Sequence, residues 1–377
     1  MHILITVNAA WNVWNFRRPV VDALITDGHR VTVLAPADDS VADLKSIGCS
    51  FLPLDMNVKG LNPLEGLKLV QQFKRVFRHE RPDVVLSYTI KNNIFGAMAA
   101  KACKTPFVPN VTGLGTAFLS GGLLQTVAEG LYRKAFGPLT CVFFQNADDR
   151  DLFLARRLVK DEHAHLLPGS GIDLARFAAA AYPAQTDAPV FLMIARLLRD
   201  KGVVEYVEAA RLVKATRPDA RFQLLGAVDA ANRTAIDVAT VQSWQDEGAI
   251  EYLGTTDDVR PYIAASHCVV LPSYREGAPR TLIEAAAMAR PLIATDVPGC
   301  RSVVEDGENG ILCAARSADS LARACLAFLA LSDEEQSAMG RSGRAKMEAE
   351  FDQVLIVQAY RDAVASMVSG RGDGQTA

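Results

Sequence analysis

Arg196, Arg199 and Lys201 crowd into one short segment, Arg196-Leu197-Leu198-Arg199-Asp200-Lys201-Gly202, directly after the apolar run 190–195 (VFLMIA). Two or three cations just past a strand, at the mouth of the next helix, suit a diphosphate. Arginine offers a planar fork, lysine a mobile point charge, and the helix N-terminus adds free N–H groups. The alternative is an ordinary charged loop. A second segment, 272–284 (PSYREGAPRTLIE), follows the run 268–271 (CVVL). Pro279 suits the first turn of a helix, so residues 277–281 present backbone N–H groups at a positive helix end, where a phosphate can dock. Glu276 just before this helix and Glu284 inside it would flank that phosphate. Carboxylates repel an anion but accept hydrogen bonds from hydroxyls, so hydroxyl recognition is the role that fits them.

Residues at such positions need elements to carry them. Short β-branched runs at 2–7, 30–35, 50–54, 83–87, 106–111 and 141–144 alternate with stretches of helical periodicity such as 62–79. A second series starts at 190–195 and continues at 221–225, 250–253, 268–271 and 291–295. This is the βαβ pattern of parallel sheets, in which ligands bind beyond the carboxyl ends of the strands. With 377 residues and roughly 150 per domain, the chain reads as two tandem doubly wound α/β domains. The expected boundaries are a first domain at 1–177, an Ala/Pro/Thr-rich linker at 178–189 and a second domain at 190–350, followed by a C-terminal helix at 351–368 packing back toward the first domain. Helices are expected at 333–348, with Asp333 as N-cap, and at 351–367. The Gly-rich polar tail 369–377 is expected to be disordered.

Composition narrows the function classes. Half of the residues are hydrophobic and 22% are charged, which supplies cores and excludes a disordered chain. The seven cysteines include no CxxC pair and no zinc-ligand spacing, so neither a disulfide framework nor a structural zinc site is expected. The apolar start gives way to Asn8, Asn12, Asn15 and Arg17-Arg18-Pro19, unlike a signal peptide, and no window is long enough to span a bilayer. A cytoplasmic location is therefore expected, with any membrane contact peripheral. The net charge of −3 hides an asymmetry: residues 1–180 hold 20 Lys/Arg against 16 Asp/Glu, and the remainder 20 against 27. The basic stretch from Lys59 to Lys104 is either a solvated helix face or a surface for phosphate or anionic lipid.

Competing motifs fail on context. Gly113-Leu114-Gly115-Thr116-Ala117-Phe118 begins like a dinucleotide fingerprint but ends in Phe and follows the fifth strand, and no P-loop is present. Asp149-Arg150-Asp151 has the form of a metal-binding DxD, yet it follows Asn146 where a helix begins, and capping is the stronger reading. His163 and His165 alternate on an expected strand with no third ligand in sight, so they read as structural.

In combination, Arg196 and Lys201 with Glu276-x7-Glu284 resemble the donor site of the retaining GT-B glycosyltransferases of family 4. The likeness extends through Gly169–Phe177, Tyr252-Leu253-Gly254, Val297–Arg301, Gly307 and Asn309-Gly310. Thr89-Ile90-Lys91-Asn92-Asn93 and Asn110–Gly115 are similar to the branch that extends polyprenyl-diphosphate-linked sugars, such as bacterial N-acetylgalactosaminyltransferases and capsule or O-antigen transferases. The chain departs from many members in carrying Asn8-Ala9-Ala10-Trp11 in place of a Gly-rich loop, and Asn110-Val111-Thr112 in place of a histidine.

The resemblance implies a GT-B fold with two Rossmann-like domains facing a cleft, and transfer with retention of anomeric configuration. Arg196 and Lys201 would hold the donor diphosphate, Glu284 the ribose hydroxyls and Glu276 a hydroxyl of the transferred sugar. The backbone of Gly277, Ala278, Pro279 and Arg280 would cradle the distal phosphate, with Gly226, Thr255 and Val259 completing the donor site. Asn8, Lys91, Thr112, Gly113 and Gly115 would face the acceptor. The implied donor is a UDP-sugar, with N-acetylhexosamine or hexose as the leading sugar. The implied acceptor is a polyprenyl-diphosphate-linked saccharide at the inner face of the cytoplasmic membrane, with Lys91 near its diphosphate. The loop Phe118–Leu124 would rest on the anionic lipid surface. No nucleic-acid partner is implied, and the oligomeric state stays open. A nucleotide-sugar epimerase or hydrolase on the same fold, and a non-enzymatic two-lobed sugar-binding protein, are the competing readings. Fixed cations and helix amides can neutralise a departing diphosphate without a divalent ion. Turnover is therefore expected to persist in excess EDTA; complete loss restored by manganese or magnesium would move Asp149 and Asp151 into the active site.

Overall fold

Runs such as Ile3-Leu4-Ile5 and Val84-Val85-Leu86 are apolar at every position because a parallel strand is buried on both faces. The computed structural model describes residues 1–57, 63–114, 122–183, 188–228, 232 and 234–369. It divides the chain into two compact units, one of Met1–Ser170 together with the chain from Gln353 onward, the other of Gly171–Asp352. The first unit thus ends ahead of residue 177. Ile172 and Phe177 pack with Met347 and Phe351 in the core of the second unit, and the Ile172 N–H donates to the Phe351 carbonyl (2.8 Å).

The first unit carries strands β1 (His2–Thr6), β2 (Arg30–Ala35), β3 (Ser50–Pro53), β4 (Val84–Tyr88), β5 (Phe107–Val111), β6 (Val142–Phe144) and β7 (Ala164–Leu166). They form one parallel sheet in the order β3-β2-β1-β4-β5-β6-β7. Its helices are α1 (Ala10–Phe16), α2 (Arg18–Thr26), α3 (Ser40–Ser46), α4 (Pro63–Glu80), α5 (Ile90–Cys103), α6 (Gly122–Phe136), α7 (Ala147–Ala155) and α15 (Gln353–Ser369). Alternate strand residues serve opposite layers. Ile3 and Ile5 pack with Val20, Val21 and Leu24 of α2 and with Ile356, Tyr360 and Val364 of α15. Leu4 and Val85 pack with Phe73 and Phe77 of α4 and Ala97 of α5.

The second unit carries β8 (Val190–Ile194), β9 (Arg221–Leu225), β10 (Glu251–Tyr252), β11 (Cys268–Leu271), β12 (Leu292–Thr295) and β13 (Gly310–Cys313). These form a parallel sheet in the order β10-β9-β8-β11-β12-β13. Its helices are α8 (Val203–Lys214), α9 (Val238–Asp246), α10 (Arg260–Ala265), α11 (Arg280–Ala287), α12 (Cys300–Val303), α13 (Ala318–Ala330) and α14 (Asp333–Lys346). Phe191 and Met193 face Val203, Tyr206 and Val207 of α8, whereas Leu192 faces Leu282, Ile283 and Ala286 of α11.

The expected elements are present with shifted ends, and one strand, β13, was absent from the expected series. Of the histidines placed on a strand, only His165 lies in β7; His163 ends the 3₁₀ turn Asp161–His163 before it. Helix α14 is capped by Ser332 rather than Asp333. The Ser332 hydroxyl and the Glu335 carboxylate form a reciprocal capping box, a signal written in the sequence as S-x-x-E. Asp149 and Asp151 lie on α7, whose N-cap Asn146 accepts from the Asp149 N–H (2.8 Å), and Asp151 pairs with Arg150 (2.9 Å). Residues 184–187 of the expected linker and the tail 370–377 lie outside the described residues.

Helix α15 is fastened to the first unit through polar as well as apolar contacts. Tyr360, fully buried, accepts a hydrogen bond from Asn110 Nδ2 (2.8 Å), and Arg361 forms a two-pronged pair with Asp27 (2.7 and 2.8 Å). Tyr360→Phe strands a buried amide donor and is expected to destabilise the protein by about 1–3 kcal/mol. A denaturation midpoint equal to the parent's in urea would disprove this role.

Candidate functional site

The segment after β8 is built by lacing two loops together. The Ala195 N–H donates to the Leu225 carbonyl (3.0 Å) and the Leu197 N–H to the Ala227 carbonyl (3.0 Å), which seats Arg196 against the end of β9. Gly226 makes this approach possible: its φ is 151°, and a Cβ there would lie 1.8 Å from the Ala195 carbonyl oxygen. The Gly226 N–H donates to the Gly254 carbonyl (2.8 Å), so exposed Thr255 follows in the adjoining loop. Val259, half-buried, is the residue before α10 and accepts from the Ile263 N–H (3.0 Å).

Arg199–Lys201 form one 3₁₀ turn closed by Gly202, whose φ of 74° and position 2.1 Å (to a built Cβ) from the Pro272 carbonyl bring the start of α8 against the segment after β11. The Tyr274 N–H donates to the Asp200 carbonyl (2.9 Å), and the Tyr274 hydroxyl donates to Glu205 Oε1 (2.6 Å) in the first turn of α8. The Arg316 guanidinium lies over the Tyr274 ring (4.6 Å). Burial, then the hydrogen bond to Glu205, push the Tyr274 hydroxyl up to about 12. Nothing in the spacing of Glu205, Tyr274 and Arg316 marks them as partners; only folding joins them.

Within this frame the two segments meet. Lys201 Nζ contacts Glu276 Oε1 at 2.5 Å, and both side chains are mostly buried. Helix α11 starts at Arg280, with Pro279 as its N-cap (φ −73°, ψ 100°) rather than inside its first turn. Thr281 Oγ1 donates to the Ile194 carbonyl (3.0 Å) and ties that helix end to the carboxyl end of β8. Gly277 and Ala278 lead into α11 half-buried. Arg280 Nε donates to Glu284 Oε1 (2.6 Å), an i,i+4 pair in which Glu284 is 9% exposed. The expectation that Glu276 and Glu284 stand open to hydroxyls needs this addition: each is held by a cation of its own site. Burial pushes the Glu284 carboxyl above its ordinary value, opposed by Arg280.

In the first unit, the expected acceptor residues sit at the carboxyl ends of β1, β4 and β5. Asn8 follows β1, Lys91 lies in the first turn of α5, and Thr112 and Gly113 follow β5. Gly115 and Phe118–Gly121 lie outside the described residues, and Gly122 opens α6. Lys91 Nζ donates to the Asn57 carbonyl. Thr89, the N-cap of α5, holds φ 68° and ψ 150°, a strained setting for a β-branched residue. Two buried amides over-determine it. Asn92 accepts from Thr89 Oγ1 (2.9 Å) and donates to Thr6 Oγ1 (2.8 Å); Asn93 accepts from Ser87 Oγ (2.8 Å) and donates to the Asn110 carbonyl (2.7 Å). Asn92 and Asn93 thereby lock the start of α5 onto β1, β4 and β5.

A stability consequence follows from Glu284. Its folded-state pKa lies above the unfolded value, so ionisation destabilises the free protein at neutral pH, and stability returns as pH falls through the folded pKa. Glu284→Gln should melt above the parent at neutral pH, with the gap closing as the medium is acidified toward about pH 4, near the unfolded carboxyl pKa. Calorimetry showing a lower melting temperature for the variant at neutral pH would refute this.

Comparison with known proteins agrees with the geometry. The model of the glycosyl transferase 4-like domain matches residues 13–170, and that of the glycosyl transferases group 1 matches residues 188–330. The chain is 27% identical over 376 residues to the Campylobacter jejuni N,N'-diacetylbacillosaminyl-diphospho-undecaprenol alpha-1,3-N-acetylgalactosaminyltransferase, covering 96% of this chain and 97% of that relative. It is 24% identical over 326 residues to the Escherichia coli UDP-Gal:alpha-D-GlcNAc-diphosphoundecaprenol alpha-1,3-galactosyltransferase, covering 82% of each. Among solved structures, Anabaena Alr3699/HepE in complex with UDP-glucose superposes with a TM-score of 0.76 at 18% identity, covering 97% of this chain and 100% of that one. Sucrose-phosphate synthase from Thermosynechococcus elongatus gives 0.76 at 20% identity with the same coverage. Two tandem parallel-sheet units of this topology, with family matches across both, show that the chain belongs to the group 1, family 4-like glycosyltransferases of GT-B fold and is a glycosyltransferase.

Proposed function

We propose that the protein transfers a sugar, with N-acetylhexosamine or hexose as the leading candidates, from a UDP-sugar to a hydroxyl of a polyprenyl-diphosphate-linked saccharide, with retention of configuration. The observation that carries the donor half is the meeting of Lys201 and Glu276 at 2.5 Å beside the N-terminus of α11. Breaking the bond between sugar and diphosphate develops negative charge on the leaving group. Arg196, Lys201 and the N–H groups that open α11 offer fixed positive charge to it. Lys201 already carries a counter-charge, so an arriving diphosphate competes with Glu276 for the ammonium and releases the carboxylate toward a hydroxyl of the sugar. Glu284, deeper in the helix, is assigned to the ribose. Gly226, Thr255 and Val259 line the loops at the neighbouring strand ends and are assigned to the nucleoside. No protein nucleophile enters this scheme; the acceptor hydroxyl approaches from the face that the phosphate leaves.

The acceptor half rests on the likeness to two relatives whose names specify undecaprenol-diphosphate-linked substrates. Lys91 at the start of α5, with Asn8, Thr112 and Gly113 at adjacent strand ends, is assigned to that side. Among the described residues no helix is long and apolar enough to cross a membrane. Helix α4 buries Leu69, Phe73 and Phe77 and exposes Lys68, Arg75 and Arg78 with Leu67, a face whose charge suits the anionic surface of the cytoplasmic membrane.

Turnover with a UDP-sugar and an undecaprenyl-diphosphate-linked saccharide tests this reading. Arg196→Ala and Lys201→Ala should each lower kcat/KM by roughly tenfold to a hundredfold, the loss of a charge-assisted hydrogen bond. Glu276→Ala should lower kcat more than UDP affinity, and Glu284→Ala should weaken UDP binding. Unchanged donor kinetics in all four variants would refute the site. Release of free or epimerised sugar without acceptor would favour a hydrolase or epimerase.

A further inference from the structure

Arg17 joins α1 to α2 and is only 4% exposed, yet its Nε and Nη1 have no hydrogen-bond partner among the described residues. Its guanidinium stacks on the Tyr88 ring at 4.4 Å, and no carboxylate pairs with it among the described residues. Leaving a buried cation unpaired is costly. The other deeply buried arginine shows what a structural role looks like. Arg290, in the second unit, is fully buried and donates to the carbonyls of Ile263, Ala180, Ala181 and Ala264. Arg17 makes none of these bonds, so its Nε and Nη1 N–H groups are left for an acceptor, and a phosphate can span the Nε and Nη2 N–H groups as the carboxylates do at Arg221 and Arg361.

Its place in the fold supplies the rest. Tyr88 ends β4, and β4 lies beside β1 where the strand order reverses, the switch point at which open α/β sheets bind ligands. Asn8, immediately beyond β1, also has a buried side-chain oxygen without a partner among the described residues. Since oxygen and nitrogen of an amide exchange by a half-turn, this group can present a donor to an anion instead. Lys91, the other cation of this edge, donates to the Asn57 carbonyl.

We propose that Arg17 is the anion-recognising residue of the first unit, its guanidinium donating to a phosphate of the diphosphate that joins the acceptor saccharide to its lipid. This rests on the lipid-diphosphate acceptor proposed above. The donor diphosphate has its own cations in the second unit, which leaves Arg17 to the other substrate. In the sequence, Arg17 is part of a polar break after the first strand.

Farnesyl diphosphate, with farnesol as the phosphate-free control, tests the proposal on the full chain with UDP held saturating so that the nucleotide site is filled. The parent protein should bind farnesyl diphosphate and not farnesol, read by thermal shift and titration calorimetry. Arg17→Gln should weaken the diphosphate by about tenfold or more while UDP affinity, read separately, stays that of the parent. Arg17→Lys, which keeps the charge and loses the fork, should fall between them. Equal diphosphate affinity in parent and Arg17→Gln overturns the role of Arg17 and leaves the lipid-diphosphate reading standing. Failure of the parent to distinguish diphosphate from alcohol overturns both. If neither variant folds while the parent binds the diphosphate, Arg17 is a structural cation and the proposal falls.

Discussion

A parallel sheet covered by helices on both faces has no polar surface except at its strand ends. Every strand in the two units runs parallel to its neighbours, so all carboxyl ends of a unit emerge along one edge, and the helices that return the chain begin there with unpaired N–H groups. The remainder of the chemistry hangs on this constraint. Arg196, Lys201, Glu276 and Gly226 occupy one such edge; Asn8, Lys91, Asn110 and Thr112 occupy the other.

The two edges handle charge in opposite ways. In the second unit, cations and carboxylates are balanced internally, Lys201 with Glu276 and Arg280 with Glu284. A balanced site leaves these charges paired in the absence of substrate, and opening it costs a short ion pair. In the first unit, Arg17 is stacked but not paired among the described residues, while neutral amides, Asn92 and Asn93, carry the precision. They hold Thr89 at a positive φ, so the strain at the start of α5 is sustained by hydrogen bonds to three strands. Burial also acts on Glu284, which lies in a helix whose neighbours Leu282, Ile283, Ala285 and Ala286 are all buried, so that desolvation raises its pKa despite the nearby arginine.

Glycine marks where these edges close. At Gly226 and Gly202 the backbone of one loop approaches the carbonyl of another more closely than any Cβ permits. The loops after β8, β9 and β11 therefore converge through close backbone contacts, and the charged side chains they carry are brought within reach of each other.

The fold was legible in the sequence because it depends on local pattern. Runs such as Val31-Thr32-Val33-Leu34 and Val269-Val270-Leu271 must be strands buried on two faces, and the cations that follow them must lie at the carboxyl edge. For the same reason the segments 196–202 and 272–284 could be placed at that edge from the sequence. Strand β13 escaped this reading, and the cap of α14 lies one residue before the expected Asp333, at Ser332, whose hydroxyl accepts from the Glu335 N–H. Pairings across long separations belong to the tertiary structure alone. No spacing rule joins Lys201 to Glu276, Tyr274 to Glu205, or Asn110 to Tyr360, since each contact exists only once the sheet has set its strands side by side. Arg17 is the clearest case: the sequence shows a cation, but whether that cation is solvated, paired or buried and open is decided by desolvation, and desolvation is a property of the packed chain.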